Sequence, residues 1–133
     1  MTAVIPAGGG RRLTLPGRTA TELVSGTEGG YPVTVRRVSI PPERAAAGSG
    51  AARRGPHRHV GCTEVIVVLA GTGEFTAGTA SWPVGPGDVI VVSPGEPHLT
   101  RNTGPEELVS LCFFPVTDLA AVTTEAGGGR GDR

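Results

Sequence analysis

The chain contains three histidines, and they are not scattered. His57 and His59 stand two apart, Glu64 follows five residues later, and His98 opens a later apolar stretch. In an extended segment residues i and i+2 point to the same side. His57 and His59 therefore aim both imidazoles at one point while Arg58 faces away. Val60-Gly61-Cys62-Thr63 is long enough to turn the chain into a strand that begins at Glu64. A strand starting at His98 completes the set. Three neutral imidazoles and one carboxylate suit one divalent first-row transition metal: Mn, Fe, Co, Ni, Cu or Zn. Four protein ligands leave about two open positions on a six-coordinate ion, where water, dioxygen or a chelating substrate can sit. Glu64 is also a candidate catalytic general base, on the strength of its carboxylate chemistry. A lone histidine near Gly and Pro is ordinarily an exposed loop residue, and a lone glutamate is ordinarily surface charge. Four such residues on one metal-site template outweigh that bland reading.

The elements that must position them are strands. Short stretches rich in Val, Ile and Thr recur between Gly and Pro clusters, at the spacing of a sandwich or barrel. The pattern predicts strands at Thr19 to Val24, Val33 to Ile40, Glu64 to Leu69, Gly73 to Ala77, Ala80 to Pro83, Asp88 to Val92, His98 to Asn102 and Glu107 to Phe114. No segment shows an apolar stripe at helical spacing over ten residues; only a short helical turn is expected, near Thr117 to Val122. Ala70-Gly71-Thr72-Gly73 reads as a hairpin turn. Val33 and Val35 share a face, but Val38 and Ile40 fall on the opposite parity, which places a bulge or a change of sheet at Arg36-Arg37. The segment Glu43 to Gly55, rich in Ala, Gly, Ser and Arg, reads as a long mobile loop, and a solvated role is the default for its Arg53-Arg54 pair. The expected organisation is a flexible segment over 1–12, one β domain over 13–116, and a C-terminal segment over 117–133 with a disordered tail.

Side-chain parity extends the reading to a pocket. Glu64, Ile66 and Val68 share a face, which would surround the metal with apolar groups, and Thr100 and Asn102 share a face with His98. Phe75, Trp82 and Phe113 are candidate walls. Asn102 is expected either in the cavity or holding a turn through its amide. Val65, Val67 and Leu69 make the second face of their strand apolar as well. A second sheet or a partner chain must cover that face.

Composition excludes several functions. Twelve basic and 12 acidic residues cancel, so no global field draws in nucleic acid. Five aromatic residues, Tyr31, Phe75, Trp82, Phe113 and Phe114, are too few for a row of base-stacking platforms. All 12 basic residues are arginine, so lysine Schiff-base chemistry is ruled out. No apolar run approaches the roughly 20 residues of a spanning helix. Neither a membrane nor a nucleic-acid partner is expected, and without a recognisable leader the protein is read as soluble and cytoplasmic. Two cysteines do not make a disulfide scaffold. Cys112 lies in the apolar run Leu108 to Phe114 and reads as a buried small hydrophobe. Cys62 lies between two candidate ligands, with packing as its default role. Arg130-Gly131-Asp132 matches an adhesion tripeptide and is read as incidental.

Two motifs carry a family resemblance. His57-Arg58-His59, four residues, Glu64, six residues and Gly71 resemble the first cupin motif. Gly87, five residues, Ser93-Pro94-Gly95-Glu96-Pro97-His98, three residues and Asn102 resemble the second. The spacer between Gly71 and Gly87 is 15 residues, as in compact bacterial cupins. Ala51 stands where the first motif usually has Gly, and Ser93 where the second usually has Pro; both positions shape loops. The resemblance implies an all-β, single-domain cupin (double-stranded β-helix, jelly-roll-like) barrel with His57, His59, Glu64 and His98 as metal ligands near one mouth. It also implies a small-molecule substrate and a homodimer paired through an outer sheet face. The expected function is metal-dependent enzymology on a small organic substrate, as a dioxygenase or a cyclase/isomerase. The arginine-only composition fits a GC-rich bacterial source and secondary metabolism, where a polyketide-type cyclase or oxygenase is the finer expectation. The alternatives are a non-catalytic sensor or storage barrel, and a structural barrel with an adventitious metal.

Overall fold

Eleven short strands and one 3-10 turn make up the computed structural model, which describes residues 2–43 and 55–125. The strands are β1 (Arg11–Leu15), β2 (Arg18–Val24), β3 (Thr34–Ile40), β4 (His57–His59), β5 (Glu64–Ala70), β6 (Gly73–Ala77), β7 (Ala80–Val84), β8 (Val89–Val92), β9 (His98–Asn102), β10 (Leu108–Phe114) and β11 (Thr123–Glu125). They form two antiparallel sheets, ordered β1-β2-β3-β10-β5-β8 and β11-β4-β9-β6-β7. No strand belongs to both sheets, so the jelly roll is two facing layers with open edges rather than the closed barrel expected. The core lies between the layers, where Ile66, Val68, Phe75, Val92, Leu108, Cys112 and Phe114 are buried. The expected loop over 43–55 and the disordered tail fall almost wholly outside the described residues.

The β-branched runs behave as their alternation requires. On β5, Glu64, Ile66 and Val68 point inward, while Val65 and Val67 are only half-buried and Leu69 is exposed. The turn from β5 to β6 depends on Gly71, which has φ +85°. A Cβ there would run into the Glu107 carbonyl oxygen and lie 2.8 Å from Leu108 Cα. Only glycine satisfies both the positive φ and this close approach of backbone to backbone.

Three features differ from the sequence expectation. β1 begins at Arg11, and β11 adds Thr123–Glu125 to the second sheet, so paired strands extend beyond both ends of the 13–116 unit. β1 offers only Leu13 and Leu15 as apolar residues on a sheet edge, and β11 offers none. Neither carries a periodic signal; both are recruited by backbone pairing. The third difference is at Arg36-Arg37. β3 keeps one parity throughout, with Thr34, Arg36, Val38 and Ile40 turned inward, and pairs regularly with β10. The irregularity lies instead on β2, between Glu22 and Val24.

The inward Arg36 has a partner that explains it. Glu22 is its register partner on β2, and both are buried. Arg36 Nε donates to Glu22 Oε1 at 2.9 Å, while Ser25 Oγ and Arg11 Nη2 donate to Oε2 at 2.8 and 2.9 Å. A buried guanidinium is tolerable when its charge is paired and its donors are met. The same contacts draw the Glu22 pKa below the usual carboxylate range, against the burial that would raise it.

Candidate metal centre

β4 alternates buried, exposed, buried, which sends His57 and His59 inward and leaves Arg58 outside. β11 on one side and β9 on the other hold this three-residue strand. Val60 N donates to Val122 O and Gly95 N donates to His59 O, both at 2.8 Å, so the histidine pair is clamped on either side. Gly95 makes its bond at φ +75°, in the Ser93-to-Pro97 segment that leads into His98. His98 is the register partner of His57, and their ring centroids are 4.3 Å apart. The His57–His59 and His59–His98 centroids are 5.0 and 5.3 Å apart.

Glu64 reaches the cluster from the opposite sheet, as the first residue of β5. Its Oε1 lies 3.0 Å from His98 Nε2 and 3.3 Å from His59 Nε2. One ligand atom from each of His57, His59, Glu64 and His98 falls within 4.8 Å of all the others.

Hydrogen bonds at the far side of two rings set their protons. His98 Nδ1 is 2.9 Å from the Glu96 carbonyl, which can only accept, so the proton is on Nδ1. His59 Nδ1 is 2.9 Å from Thr123 Oγ1. Thr123 spends its hydroxyl proton on the Leu119 carbonyl at 2.7 Å, so it accepts from His59. In the neutral rings the Nε2 atoms then carry the lone pairs, and neither Nε2 makes a hydrogen bond to Glu64 Oε1 despite the close approach. His57 Nδ1, His59 Nε2, Glu64 Oε1 and His98 Nε2 are all buried without a hydrogen-bond partner. Burial first, and then the nearness of His98, Arg18 and His59, hold the His57 pKa well below its ordinary value, which favours the neutral ring. Four buried ligand atoms converge with no hydrogen bond among them.

That arrangement fits a divalent ion. Ligand bonds of about 2.0 to 2.2 Å at right angles place two donor atoms about 3.0 Å apart, which matches the Glu64–His98 and Glu64–His59 separations of 3.0 and 3.3 Å. Aromatic rings brace the site from behind: Phe75 stacks on His98 and Phe114 meets His59 edge-on.

His57, His59 and Glu64 open onto a cavity of about 40 Å³ between the sheets, walled also by Leu15, Arg18, Arg36, Val38, Cys112, Phe114, Leu119 and Thr123, with His98 behind the wall. None of the seven pocket residues expected from sequence is in this wall. Ile66, Val68 and Phe75 are core, Phe75 standing behind His98. Thr100 is buried on β9. Asn102 is buried and spends its amide on the backbone: Nδ2 donates to Ile40 O and Glu106 O, and Oδ1 accepts from Gly104 N. It holds the turn, the second of its two expected roles. Trp82 is 50% exposed and Phe113 39% exposed, so both face outward. The two cysteines also exchange interest. Cys62 packs in the core with its thiol on the Thr63 carbonyl, whereas Cys112 lines the cavity and its thiol contacts Glu64, with a pKa pushed up by burial and by that carboxylate. Parity on β10 could have shown this, since Cys112 and Phe114 share one face. No sequence signal marked Thr123, Arg18 or Arg36.

A family model described as a cupin domain matches residues 44–114, more than half of the chain. The chain belongs to the cupin family. No curated protein matches this cupin. Among solved structures it resembles an S161A mutant of Bacillus subtilis oxalate decarboxylase, with a TM-score of 0.69 and 20% identity over 87% of this chain and 30% of that one. The Lactobacillus farciminis oxalate decarboxylase formate complex gives a TM-score of 0.69 and 17% identity over 87% of this chain and 33% of that one. A predicted oxalate decarboxylase from Thermotoga maritima gives a TM-score of 0.65 and 23% identity, covering 87% of this chain and 99% of that one. This cupin thus spans about a third of the two larger proteins, and at these identities the likeness concerns the fold. No helix among the described residues is long and apolar enough to cross a membrane.

Proposed function

We propose that this cupin is a metal-dependent enzyme for a small organic substrate, with His57, His59, Glu64 and His98 holding one divalent transition metal. The observation that carries this reading is the convergence of four buried donor atoms without hydrogen-bond partners, three of them from residues at the wall of a small cavity. When bound, the ion would supply Lewis acidity and open positions for substrate oxygens or dioxygen. The chain supplies the rest. Thr123 and the Glu96 carbonyl fix the tautomers of His59 and His98, Phe75 and Phe114 hold the rings, and the two sheets keep bulk water out. Glu64, the ligand with carboxylate chemistry, is the candidate proton acceptor for substrate.

The reaction classes we favour are dioxygenase and cyclase/isomerase. Decarboxylation, the chemistry named for the solved relatives, is the third outcome to be tested. Protein purified without chelators or a nickel column should carry close to one ion per chain, and a His59→Ala variant should lose it. Equal, negligible metal in both would overturn the reading. Oxygen uptake and product analysis with phenols, diketones and small carboxylic acids, under Fe, Mn, Ni and Zn, then separate the three classes. Bound metal without turnover of any of them would make this a sensor or storage protein instead.

We also propose a homodimer. The outer face of β10, β5 and β8 carries Phe113, Val65 and Val91 in one register row and Leu111, Val67 and Val89 in the next, with the exposed Leu69 beyond them. On edge strand β8, Val89 and Val91 are 60% and 68% exposed. An apolar edge of this kind is a liability unless something covers it, and a second copy offers the same apolar face in return.

A further inference from the structure

Among the described residues five side-chain polar atoms are buried without a hydrogen-bond partner. Four belong to the quartet; the fifth is Oε2 of Glu125, on β11. A buried carboxylate oxygen without a donor is costly, so its neighbours point to what completes it. Glu125 Oε1 stands 3.8 Å from Arg18 Nη1, too far for a hydrogen bond, and that nitrogen donates to the Pro16 carbonyl at 2.9 Å. Arg18 thus gives Glu125 a countercharge without satisfying Oε2.

The register of β11 gives the other neighbour. Thr123 stands opposite His59, and Glu125 stands opposite His57. The bond from Val60 N to Val122 O continues this ladder by one step and makes Val60–Val122 a hydrogen-bonded position. His59–Thr123 and His57–Glu125 are then both non-hydrogen-bonded positions. There opposed side chains share a face and stand closest, with Cα atoms about 4.5 Å apart. In the first pair the ring nitrogen meets the hydroxyl at 2.9 Å. In the second each member keeps a buried unpartnered atom, Nδ1 of His57 and Oε2 of Glu125.

A metal-ligating imidazole gives one nitrogen to the ion and almost always donates the other, as N–H, to a carboxylate, carbonyl or water. His59 and His98 have such acceptors in Thr123 and the Glu96 carbonyl. For His57 the acceptor in register is Glu125. The terminal torsion of a glutamate is broad, so the carboxylate can turn to the ring with its strand in place. We propose that Glu125 is the positioning residue for His57, its carboxylate accepting a hydrogen bond from the ring nitrogen that His57 does not give to the ion. β11 then aligns both histidines of β4, one through a hydroxyl and the other through a carboxylate.

This role rests on the metal-site reading, and zinc uptake by wild type tests that reading separately. Wild type, Glu125→Gln, Glu125→Leu and the double variant Arg18→Gln/Glu125→Leu are compared for zinc affinity by chelator competition. Long-range proton–nitrogen NMR of the zinc-loaded proteins reads the imidazole N–H groups, and with three histidines in the chain the rings are separable. Wild type should show three ring N–H protons protected from exchange. Glu125→Leu should lose the one on His57 and bind zinc roughly 10- to 100-fold more weakly. Glu125→Gln, which keeps an oxygen acceptor but not the charge, should fall between the two. The double variant should stay as weak as Glu125→Leu, because removing the Arg18 charge restores no acceptor. Equal affinity in wild type and Glu125→Leu overturns the proposal. So do equal losses in Glu125→Gln and Glu125→Leu, or recovery in the double variant, since either reduces Glu125 to a countercharge for Arg18. Should Glu125→Leu fail to fold, the NMR of wild type and Glu125→Gln decides: an unprotected His57 N–H, or one unchanged in Glu125→Gln, overturns the proposal. Wild type that takes up no zinc overturns the metal-site reading and this role with it, whereas zinc bound equally by wild type and Glu125→Leu overturns this role alone.

Discussion

His59 Nδ1 donates to Thr123 Oγ1 at 2.9 Å, and Thr123 in turn donates to the Leu119 carbonyl at 2.7 Å. The relay is buried and spans 64 residues of sequence. It fixes the ring so that Nε2 presents a lone pair toward Glu64. β11 exists in the sheet for this purpose as much as for pairing, since Thr123 is the register partner of His59. A strand of three residues with no apolar side chain thus sets the orientation of a metal-ligating histidine.

Removing that hydroxyl tests the relay. Thr123→Val keeps the shape but leaves His59 Nδ1–H without an acceptor, while the Leu119 carbonyl keeps its bond from Val122 N at 3.1 Å. Outer-shell partners of this kind are worth roughly 10- to 100-fold in metal affinity. The expected outcome is a loss in that range by chelator competition, with Thr123→Ser restoring most of it. Equal affinity in all three proteins would show that Thr123 does not orient the ligand.

The Glu22–Arg36 pair predicts a pH dependence. Glu22 has a folded-state pKa below its unfolded value of about 4.3. Its contribution to stability is therefore complete above that unfolded value and is lost as pH falls through the lower folded one. Glu22→Gln leaves Arg36 buried without a countercharge and should cost about 3 kcal/mol at pH 7 by urea unfolding. Between pH 5 and 3 the variant should lose stability less steeply than wild type. Parallel pH slopes would place the titrating group elsewhere.

What was legible in the sequence follows from which forces leave a local trace. The quartet was legible because strand alternation and two spaced motifs put chemistry-bearing residues at fixed positions. The core strands were legible because burial enriches them in Val and Ile. β1 and β11 were not, since backbone pairing at a sheet edge demands almost nothing of side chains. The misplaced bulge has the same origin. Parity counting assumes apolar residues face inward, but Arg36 is the inward residue because Glu22, 14 positions away, neutralises it. The pocket wall failed for a related reason. Phe75 and Ile66 are large and apolar, as pocket walls often are, but here they fill the core, and the apolar part of the cavity wall comes from Leu15, Val38, Phe114 and Leu119, beside two arginines and a cysteine.

Gly71 gives a stability prediction independent of the site. Gly71→Ala forces a Cβ against the Glu107 carbonyl at φ +85°. Backbone strain of this kind costs about 1 to 3 kcal/mol before the clash is added. The variant should melt several degrees lower while retaining wild-type metal content per folded chain. An unchanged melting temperature would mean that the β5–β6 turn relaxes freely.

The outer apolar face yields the last prediction. Val91 is 68% exposed on β8 and pairs in register with Val65 on β5, which in turn pairs with Phe113 on β10. A charge at position 91 would meet the same charge on a partner across a two-fold interface, and both would have to be desolvated. Its cost to the isolated chain should be small, because the side chain is already in water. Sedimentation equilibrium should therefore give a dimer for wild type and a monomer for Val91→Glu, with melting reduced only as far as dissociation requires. A monomeric wild type would remove the second copy as the occupant of this face. A Val91→Glu protein that remains dimeric would place the interface on another surface.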